Sequence, residues 1–213
     1  MTLWSETLEA TCQSYAERIA NCMFVKQICD GSLIPCKFAQ FIAQDSIYLN
    51  SFKGSLLFLS ERLKSDKERN IFRKYIYSST EIERETQRQL DELFHWSDYT
   101  SATDTTTSQY IKFEREACCQ QPIHNALASL LPCFWLFFKV VCKIKEIADH
   151  NNPFHIWIEA YSDPIFISDI TTYRSICDQY AAQLSEKQRN QMSATFIKAA
   201  EYELKFWSRY DKI

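Results

Sequence analysis

Cys133 is the first residue of this sequence that could do chemistry. It follows Pro132 directly, in the most apolar run of the chain, Leu127-Ala-Ser-Leu-Leu-Pro-Cys-Phe-Trp-Leu-Phe-Phe138. A cysteine commonly packs as a small hydrophobic residue, so a core role is the simpler interpretation. Pro132 nevertheless removes a backbone donor and starts or kinks a helix beside the thiol, and such a kink opens a pocket. A thiol held in a pocket could act as a nucleophile.

Asp45 is a carboxylate on an otherwise aromatic face. On a helix formed by the segment FAQFIAQDSIYLNSF, it shares its face with Phe38, Phe41, Tyr48 and Phe52. An ionised carboxylate that is buried without a partner costs several kcal/mol, so Asp45 must be paired, hydrogen-bonded or hydrated. An internal ion pair and a ligand-binding role are both compatible with this pattern.

Glu203 repeats this arrangement near the end of the sequence, whereas Glu201 projects elsewhere. An apolar setting raises the pKa of a carboxyl group toward neutrality, which suits a general acid or base. The alternative is a buried ion pair with an arginine or a lysine. The residues that share the face of Glu203 are Phe196, Ala199, Ala200, Phe206, Trp207 and Tyr210.

Helices must position these residues. Long patterns of period 3.6, only two glycines and five prolines favour an all-helical bundle forming one domain over residues 1–213. The polar segment from Ser97 to Ser108 is the clearest loop. The predicted helices cover residues 3–30 with a possible break near Asn21, 35–64, 66–96, 107–118, 122–149, 154–160, 164–184 and 186–211. Predicted helix starts are Pro35, the capping boxes Ser65 with Glu68 and Ser185 with Gln188, and Ser162-Asp163-Pro164, with Pro164 as the first helical residue.

The bulk composition excludes several classes of function. The net charge of -3 gives no basic field for nucleic acid or anionic lipid. Two glycines cannot build a glycine-rich phosphate loop. Nine cysteines, an odd number without zinc-type spacing, indicate a reducing compartment. The N-terminal segment has no apolar signal core, and the run from Ala126 to Phe138 is shorter than the ~20 residues of a membrane span. We therefore expect a cytoplasmic protein with no membrane and no nucleic-acid partner.

Four segments together resemble the thiaminase II family, also called TenA, whose members have the helical haem-oxygenase-like fold. Their order and spacing cover nearly the whole chain, although each segment is short. That fold hosts unrelated functions, so only the individual residues can indicate an activity. The segments are FAQFIAQDSIYL (38–49), LLPCFWLFF (130–138), NPFHIWIEAYSDPIF (152–166) and FIKAAEYELKFW (196–207).

The resemblance implies a role for each matching residue. The family's Pro-Cys motif carries the nucleophile, here Cys133, and the glutamate of its closing E-x-x-F-W motif is the general acid and base, here Glu203. The aspartate of Q-D-x-x-Y-L anchors the pyrimidine nitrogens of the substrate, here Asp45. The tyrosine three positions on, Tyr48, lies beside the cysteine and tunes it. Family members also use two other tyrosines, for which the matches are Tyr110 and Tyr161.

Two departures from the family pattern concern the substrate. Many relatives carry a tyrosine four residues after the nucleophile, where this chain has Phe137, so a hydroxyl group is lost while the aromatic wall is kept. Relatives also often have a histidine in the segment that corresponds to Ile82–Phe94, where this chain has Gln87. Both changes affect the expected substrate preference and rate rather than the core chemistry.

The resemblance implies hydrolysis of an aminopyrimidine in thiamine salvage. Water would replace an amine or thiazole on the methylene of 4-amino-2-methylpyrimidine, with no metal and no organic cofactor. The resemblance also implies a homo-oligomer, commonly a tetramer.

Two rival functions follow from other features. One is a metal-dependent enzyme of the same architecture, since Glu92 and His95 form one Glu-x-x-His pair; a di-iron bundle needs two such pairs, and the sequence has no second one. The other is a non-catalytic member that binds a pyrimidine or a partner protein, which the Phe137 change favours.

Overall fold

Helices make up nearly all of the chain that the computed structural model describes, which is residues 2–95 and 102–212. No strand occurs within those two ranges. The helices are α1 (Trp4–Thr7), α2 (Glu9–Ala20), α3 (Met23–Cys29), α4 (Pro35–Arg62), α5 (Asp66–Phe94), α6 (Thr105–Gln120), α7 (Ile123–Ile147), α8 (His155–Tyr161), α9 (Ile165–Ala181) and α10 (Glu186–Ser208), followed by a 3-10 turn (Arg209–Lys212). The all-α prediction is therefore confirmed.

Most predicted helix starts agree with the structure, and two differ in detail. Pro35 opens α4, and Ser185 with Gln188 forms the predicted capping box of α10. Ser65 caps α5, but the carboxylate of Glu68 accepts a hydrogen bond from Tyr180 instead of completing a box. Pro164 directly precedes α9 instead of being its first residue. These differences amount to one residue or one hydrogen bond.

The N-terminal segment is divided more finely than its pattern predicts. The break near Asn21 is present between α2 and α3, and a second one at Leu8 separates α1 from α2. The second break has no proline or glycine to announce it. It places the backbone N–H and hydroxyl of Ser5 against the carboxylate of Asp178 in α9, at 2.7 and 2.8 Å.

The predicted loop from Ser97 to Ser108 extends too far at its C-terminal end. Residues 96–101 lie outside the described ranges, and α6 already begins at Thr105. Asp104 causes this early start, because its side chain accepts a hydrogen bond from the backbone N–H of Thr107 at 2.7 Å. Arg209, just after α10, binds the same carboxylate at 2.9 Å. The beginning of α6 is thereby joined to the end of α10.

Helix α7 lies at the centre of the bundle and packs against α2, α6, α9 and α10. By length and composition α7 could cross a membrane, which is a weak indication because a buried core helix meets the same test. Pro132 lies inside α7 rather than at its start. The carbonyl of Ala128 therefore receives no helical N–H from that position, one turn before the thiol of Cys133.

Asn152 connects the N-terminal helices to the segment that carries α8. Its buried side chain donates to the carbonyls of Ile28 and Cys29 at 2.7 and 3.1 Å, and accepts from the N–H of Phe154 at 2.8 Å. The second bond supplies a partner to the carbonyl of Cys29 at the end of α3, whereas the carbonyl of Ile28 also accepts from the N–H of Gly31 at 3.3 Å. This side chain therefore fixes α8 relative to α3.

We predict that Asn152→Ala lowers the free energy of unfolding by about 2–4 kcal/mol, because the substitution leaves buried backbone groups without partners. Asn151→Ala is the matched control, since Asn151 is exposed and its hydrogen bond to Asp149 uses the backbone. Urea unfolding of both variants measures the effect. Equal stabilities for the two variants would contradict this role of Asn152.

Candidate active site

The seven predicted site residues all line one cavity between α4, α6, α7, α8 and α10. Its volume is about 80 Å³, and most of its wall is apolar, as in a site for a small molecule. Helix α4 presents its aromatic face to this cavity, and α10 presents the matching face from the other end of the chain. The predicted residues in the wall are Asp45, Tyr48, Tyr110, Cys133, Phe137, Tyr161 and Glu203, and further wall residues are Leu49, Phe52, Ser79, Phe134, Phe138, Phe166 and Phe206.

Glu203 is a buried carboxyl group held by two neutral donors. The hydroxyl of Tyr110 donates to one oxygen at 3.1 Å, and the indole N–H of Trp207 donates to the other at 3.2 Å. Burial raises the pKa of Glu203 to about 7, although these two hydrogen bonds lower it. No ion pair with an arginine or a lysine reaches Glu203 in the described ranges. Near neutral pH the carboxyl group can therefore both donate and accept a proton.

Cys133 faces the same cavity from α7. Burial, followed by the nearby Glu203 and Glu114 carboxyl groups, raises the pKa of the thiol well above its usual value. A hydrogen bond with Tyr48 acts in the opposite direction and lowers this pKa. The resting thiol is therefore neutral, and it needs a base when it reacts.

Asp45 has no hydrogen bond and no ion pair among the described residues, which excludes the internal ion pair as its explanation there. Burial raises its pKa most, and Glu83 and Glu203 raise it further, while Arg209 and Lys53 lower it from a distance. An unpartnered carboxyl group on a cavity wall can bind a ligand donor without first breaking an internal bond.

Aromatic rings shape the cavity around these groups. The rings of Tyr48 and Tyr110 stack with their centroids 4.7 Å apart. Phe137 meets Tyr161 edge to face at 5.6 Å, and it also contacts Trp157 and Trp207. Flat walls of this kind favour a flat ligand ring.

Sequence reasoning missed Glu114, which is 1% exposed and accepts a hydrogen bond from Tyr48 at 2.7 Å. The available signal was its position four residues after Tyr110, on the same face of α6. Gln87 does not line the cavity, because its amide donates to Ser46 and to Glu83.

The predicted Glu-x-x-His pair does not form a metal site. The side chain of Glu92 is exposed and pairs with Arg88, and His95 ends α5 with a left-handed backbone. Within residues 2–95 and 102–212, no three histidine, cysteine, aspartate or glutamate side chains are grouped so that they could hold a metal ion.

The all-helical architecture is the haem-oxygenase-like fold of TenA homologues. The model of the TENA/THI-4/PQQC family matches residues 9–212, and this chain belongs to that family.

Individual relatives agree with this membership. The chain is 25% identical to an aminopyrimidine aminohydrolase of Bacillus subtilis over 86% of this chain and 79% of the relative. It is 27% identical to the protein of the same name from Halalkalibacterium halodurans, over 88% and 86%. The solved structure of a TenA homologue from Pyrococcus furiosus superposes with a TM-score of 0.89 at 14% identity, covering 98% of this chain and 100% of the other.

We predict that the buried carboxyl group of Glu203 lowers the free energy of unfolding by an amount that depends on pH. Its pKa rises from 4.5 to about 7 on folding, so the folded chain binds more protons than the unfolded chain between these values, and stability is lost as the pH rises. Replacing Glu203 by glutamine removes this loss. The free energy of unfolding of Glu203→Gln relative to the wild type should therefore increase by about 2–3 kcal/mol between pH 5 and pH 8.

Glu201→Gln is the control for this prediction, because Glu201 lies in the same helix but pairs with Lys198 at the surface. Its stability relative to the wild type should stay nearly constant over the same range. Denaturant unfolding at several pH values measures both differences. If the difference in unfolding free energy between Glu203→Gln and the wild type did not change with pH, Glu203 would have an ordinary pKa.

Proposed function

We propose that this protein hydrolyses an aminopyrimidine and releases an amine from 4-amino-5-aminomethyl-2-methylpyrimidine to give the hydroxymethyl compound. The observation that supports this proposal is the meeting of Cys133, Glu203 and Asp45 on one small aromatic cavity, although they come from three separate helices. The names of the two bacterial relatives point to the same reaction.

The first half of the reaction expels the amine. The thiol of Cys133 gives up its proton to a neighbouring acceptor and its sulfur adds to the electron-poor ring, while Glu203 protonates a ring nitrogen, so the ring loses its aromaticity. The bond to the amine then breaks as an exocyclic double bond forms at the methylene, and the amine leaves with the proton that the ring nitrogen gives back through Glu203. The near-neutral pKa of Glu203 suits this proton transfer, because the carboxyl group is protonated in a large fraction of molecules at pH 7.

The second half restores the ring and the enzyme. Water adds to the exocyclic methylene and gives up a proton to the carboxylate of Glu203. The bond between the ring and Cys133 breaks, the sulfur takes back a proton, and the ring regains its aromaticity. No step needs an oxidant or a reductant, because the reaction exchanges an amine for a hydroxyl group.

The remaining cavity residues orient the ring. Asp45 accepts from the exocyclic amino group, for which its carboxyl group is free. Tyr48, Tyr161 and Phe137 border the flat ring, while Tyr110 holds Glu203. A cytoplasmic location stays a prediction from the composition, and a tetrameric assembly stays a prediction from the resemblance.

We predict that Cys133→Ala lowers kcat for the aminomethyl pyrimidine by about 10³-fold or more, because the variant lacks the nucleophile. Glu203→Gln should lower it by about 10²–10⁴-fold, the usual contribution of a general acid and base. Steady-state ammonia release with the purified protein measures both effects. Cys142→Ala is the control, since this cysteine lies on the same helix but not on the cavity, and it should keep the wild-type rate.

Calorimetric titration with the same pyrimidine distinguishes the rival function. If the wild type and both site variants bind the ring while none of them releases ammonia, the chain is a pyrimidine-binding protein and the catalytic proposal is wrong. Stoichiometric iron in an active preparation, with activity lost on its removal, would instead support a metal-dependent enzyme.

Phe137→Tyr tests the substrate side of the cavity. We predict that the added hydroxyl raises kcat/KM for the aminomethyl pyrimidine about 3–10-fold, the effect of one further hydrogen bond of about 1 kcal/mol. Phe138→Tyr is the matched control in the next position, because it also lines the cavity and adds the same atom. The same gain in both variants would mean that polarity in general, rather than position 137, controls the rate.

A further inference from the structure

Glu114 is a buried acid with no role in the proposed reaction. It lies in α6, is 1% exposed, and forms no ion pair within the described ranges. A glutamine would serve equally well as the acceptor of the hydrogen bond from Tyr48, without the cost of burying an ionisable group. A carboxyl group in this position therefore points to a function that needs a proton acceptor.

The hydroxyl of Tyr48 connects Glu114 to the nucleophile. It donates to Oε1 of Glu114 at 2.7 Å. Tyr48 and Cys133 line the same cavity, and a hydrogen bond with Tyr48 lowers the pKa of the Cys133 thiol. Tyr48 is 3% exposed and its ring stacks on Tyr110, so the hydroxyl is held in one place. A nucleophile, a bridging group and a buried carboxyl group thus follow each other through hydrogen bonds, the arrangement in which an acid side chain assists a nucleophile through an intermediate residue.

We propose that Glu114 is a positioning residue and the final proton acceptor for Cys133, acting through Tyr48. As the sulfur bonds to the substrate ring, the thiol proton passes to Oη of Tyr48 and the Tyr48 proton passes to Oε1 of Glu114. When the bond between carbon and sulfur breaks, both protons return. This inference rests on the proposed function for the reaction that it serves.

The surroundings of Glu114 favour this transfer. Burial raises the pKa of Glu114 well above its usual value, and Glu203 raises it further, while hydrogen bonds with Tyr48 and Tyr110 lower it. A carboxylate with a raised pKa is a stronger base, which reduces the energy difference to the thiol. The titratable groups that face Glu114 are Tyr48 from α4, Tyr110 and Cys118 from α6, Cys133 from α7, Tyr173 from α9 and Glu203 from α10.

Glu114→Gln tests the proposal with two measurements of opposite expected sign. The first is the pH dependence of Cys133 alkylation by iodoacetamide, followed by mass spectrometry of the peptide that contains residue 133. A negative charge at Glu114 raises the pKa of Cys133, so its removal should shift the alkylation midpoint to lower pH by about one unit. The second is hydrolysis of the aminomethyl pyrimidine, which should be slower by about 10²-fold because the acceptor is lost.

The pair of results separates three roles. A more reactive thiol with slower hydrolysis supports the proton acceptor. If the alkylation midpoint is unchanged while hydrolysis is slower, Glu114 only holds Tyr48 in place. If hydrolysis is faster, the charge of Glu114 only lowers the reactivity of the thiol. Either result overturns the proposal. Glu116→Gln is the control, because Glu116 is exposed on the same helix and should change neither measurement.

Tyr48→Phe tests the route of the proton. Hydrolysis by the double variant Tyr48→Phe with Glu114→Gln should be no slower than hydrolysis by Tyr48→Phe alone, because both changes interrupt one pathway. Independent, additive losses would overturn the route through Tyr48. If the wild type hydrolyses no aminopyrimidine, the proposed function is wrong. The alkylation shift, which needs no substrate, then decides alone whether Glu114 and Cys133 are coupled.

If Glu114→Gln does not fold, Glu114→Asp provides the second variant. It keeps the carboxyl group but shortens the side chain by one methylene, so the hydrogen bond to Tyr48 lengthens. Hydrolysis should then fall about 10-fold or more while the alkylation midpoint stays near that of the wild type, because the charge is retained. A shifted midpoint in a folded Glu114→Asp protein would contradict the assignment of the charge effect to Glu114.

Discussion

The burial of three carboxyl groups in one aromatic interior, without a cation within ion-pair distance in the described ranges, is the constraint on which the site depends. Asp45, Glu114 and Glu203 are all less than 10% exposed. The loss of water raises the pKa of each, so neutral and charged forms become close in free energy. Such groups cost stability, and a protein retains them where proton transfer has a use.

Two tyrosines provide hydrogen bonds to two of these groups, Glu114 and Glu203. Tyr110 donates to Glu203, Tyr48 donates to Glu114, and the two rings stack on each other. Each hydroxyl satisfies one carboxyl group without supplying a positive charge, so the acids are held in place while their pKa values stay high. A lysine or an arginine in the same place would fix the carboxylates in the ionised form and remove their ability to exchange protons near pH 7.

The sequence predicts the inward acids where the helix pattern is amphipathic, and fails where it is not. Asp45 and Glu203 stand out because every neighbour on their helix face is apolar. Glu114 lies in the run Lys112-Phe-Glu-Arg-Glu116, which has the composition of a solvated face. Its inward position is stabilised by Tyr48, 66 residues away, and the signal within its own helix is limited to its place four residues after Tyr110. The break at Leu8 likewise has no proline or glycine in its own segment to predict it, and it accompanies the contact of Ser5 with Asp178 in α9.

The bond between Arg209 and Asp104 has a consequence for the order in which the site is assembled. Chain synthesis proceeds from the N-terminus, so Asp45, Tyr48 and Cys133 leave the ribosome well before Glu203 and Arg209. Until α10 docks, the cavity lacks the wall that contains Glu203 and Phe206, and Asp104 at the start of α6 lacks its ion pair with Arg209. Completion of the cavity and completion of the fold are therefore one event. A chain that has been made only as far as α9 therefore lacks both Glu203 and the cavity wall that α10 provides.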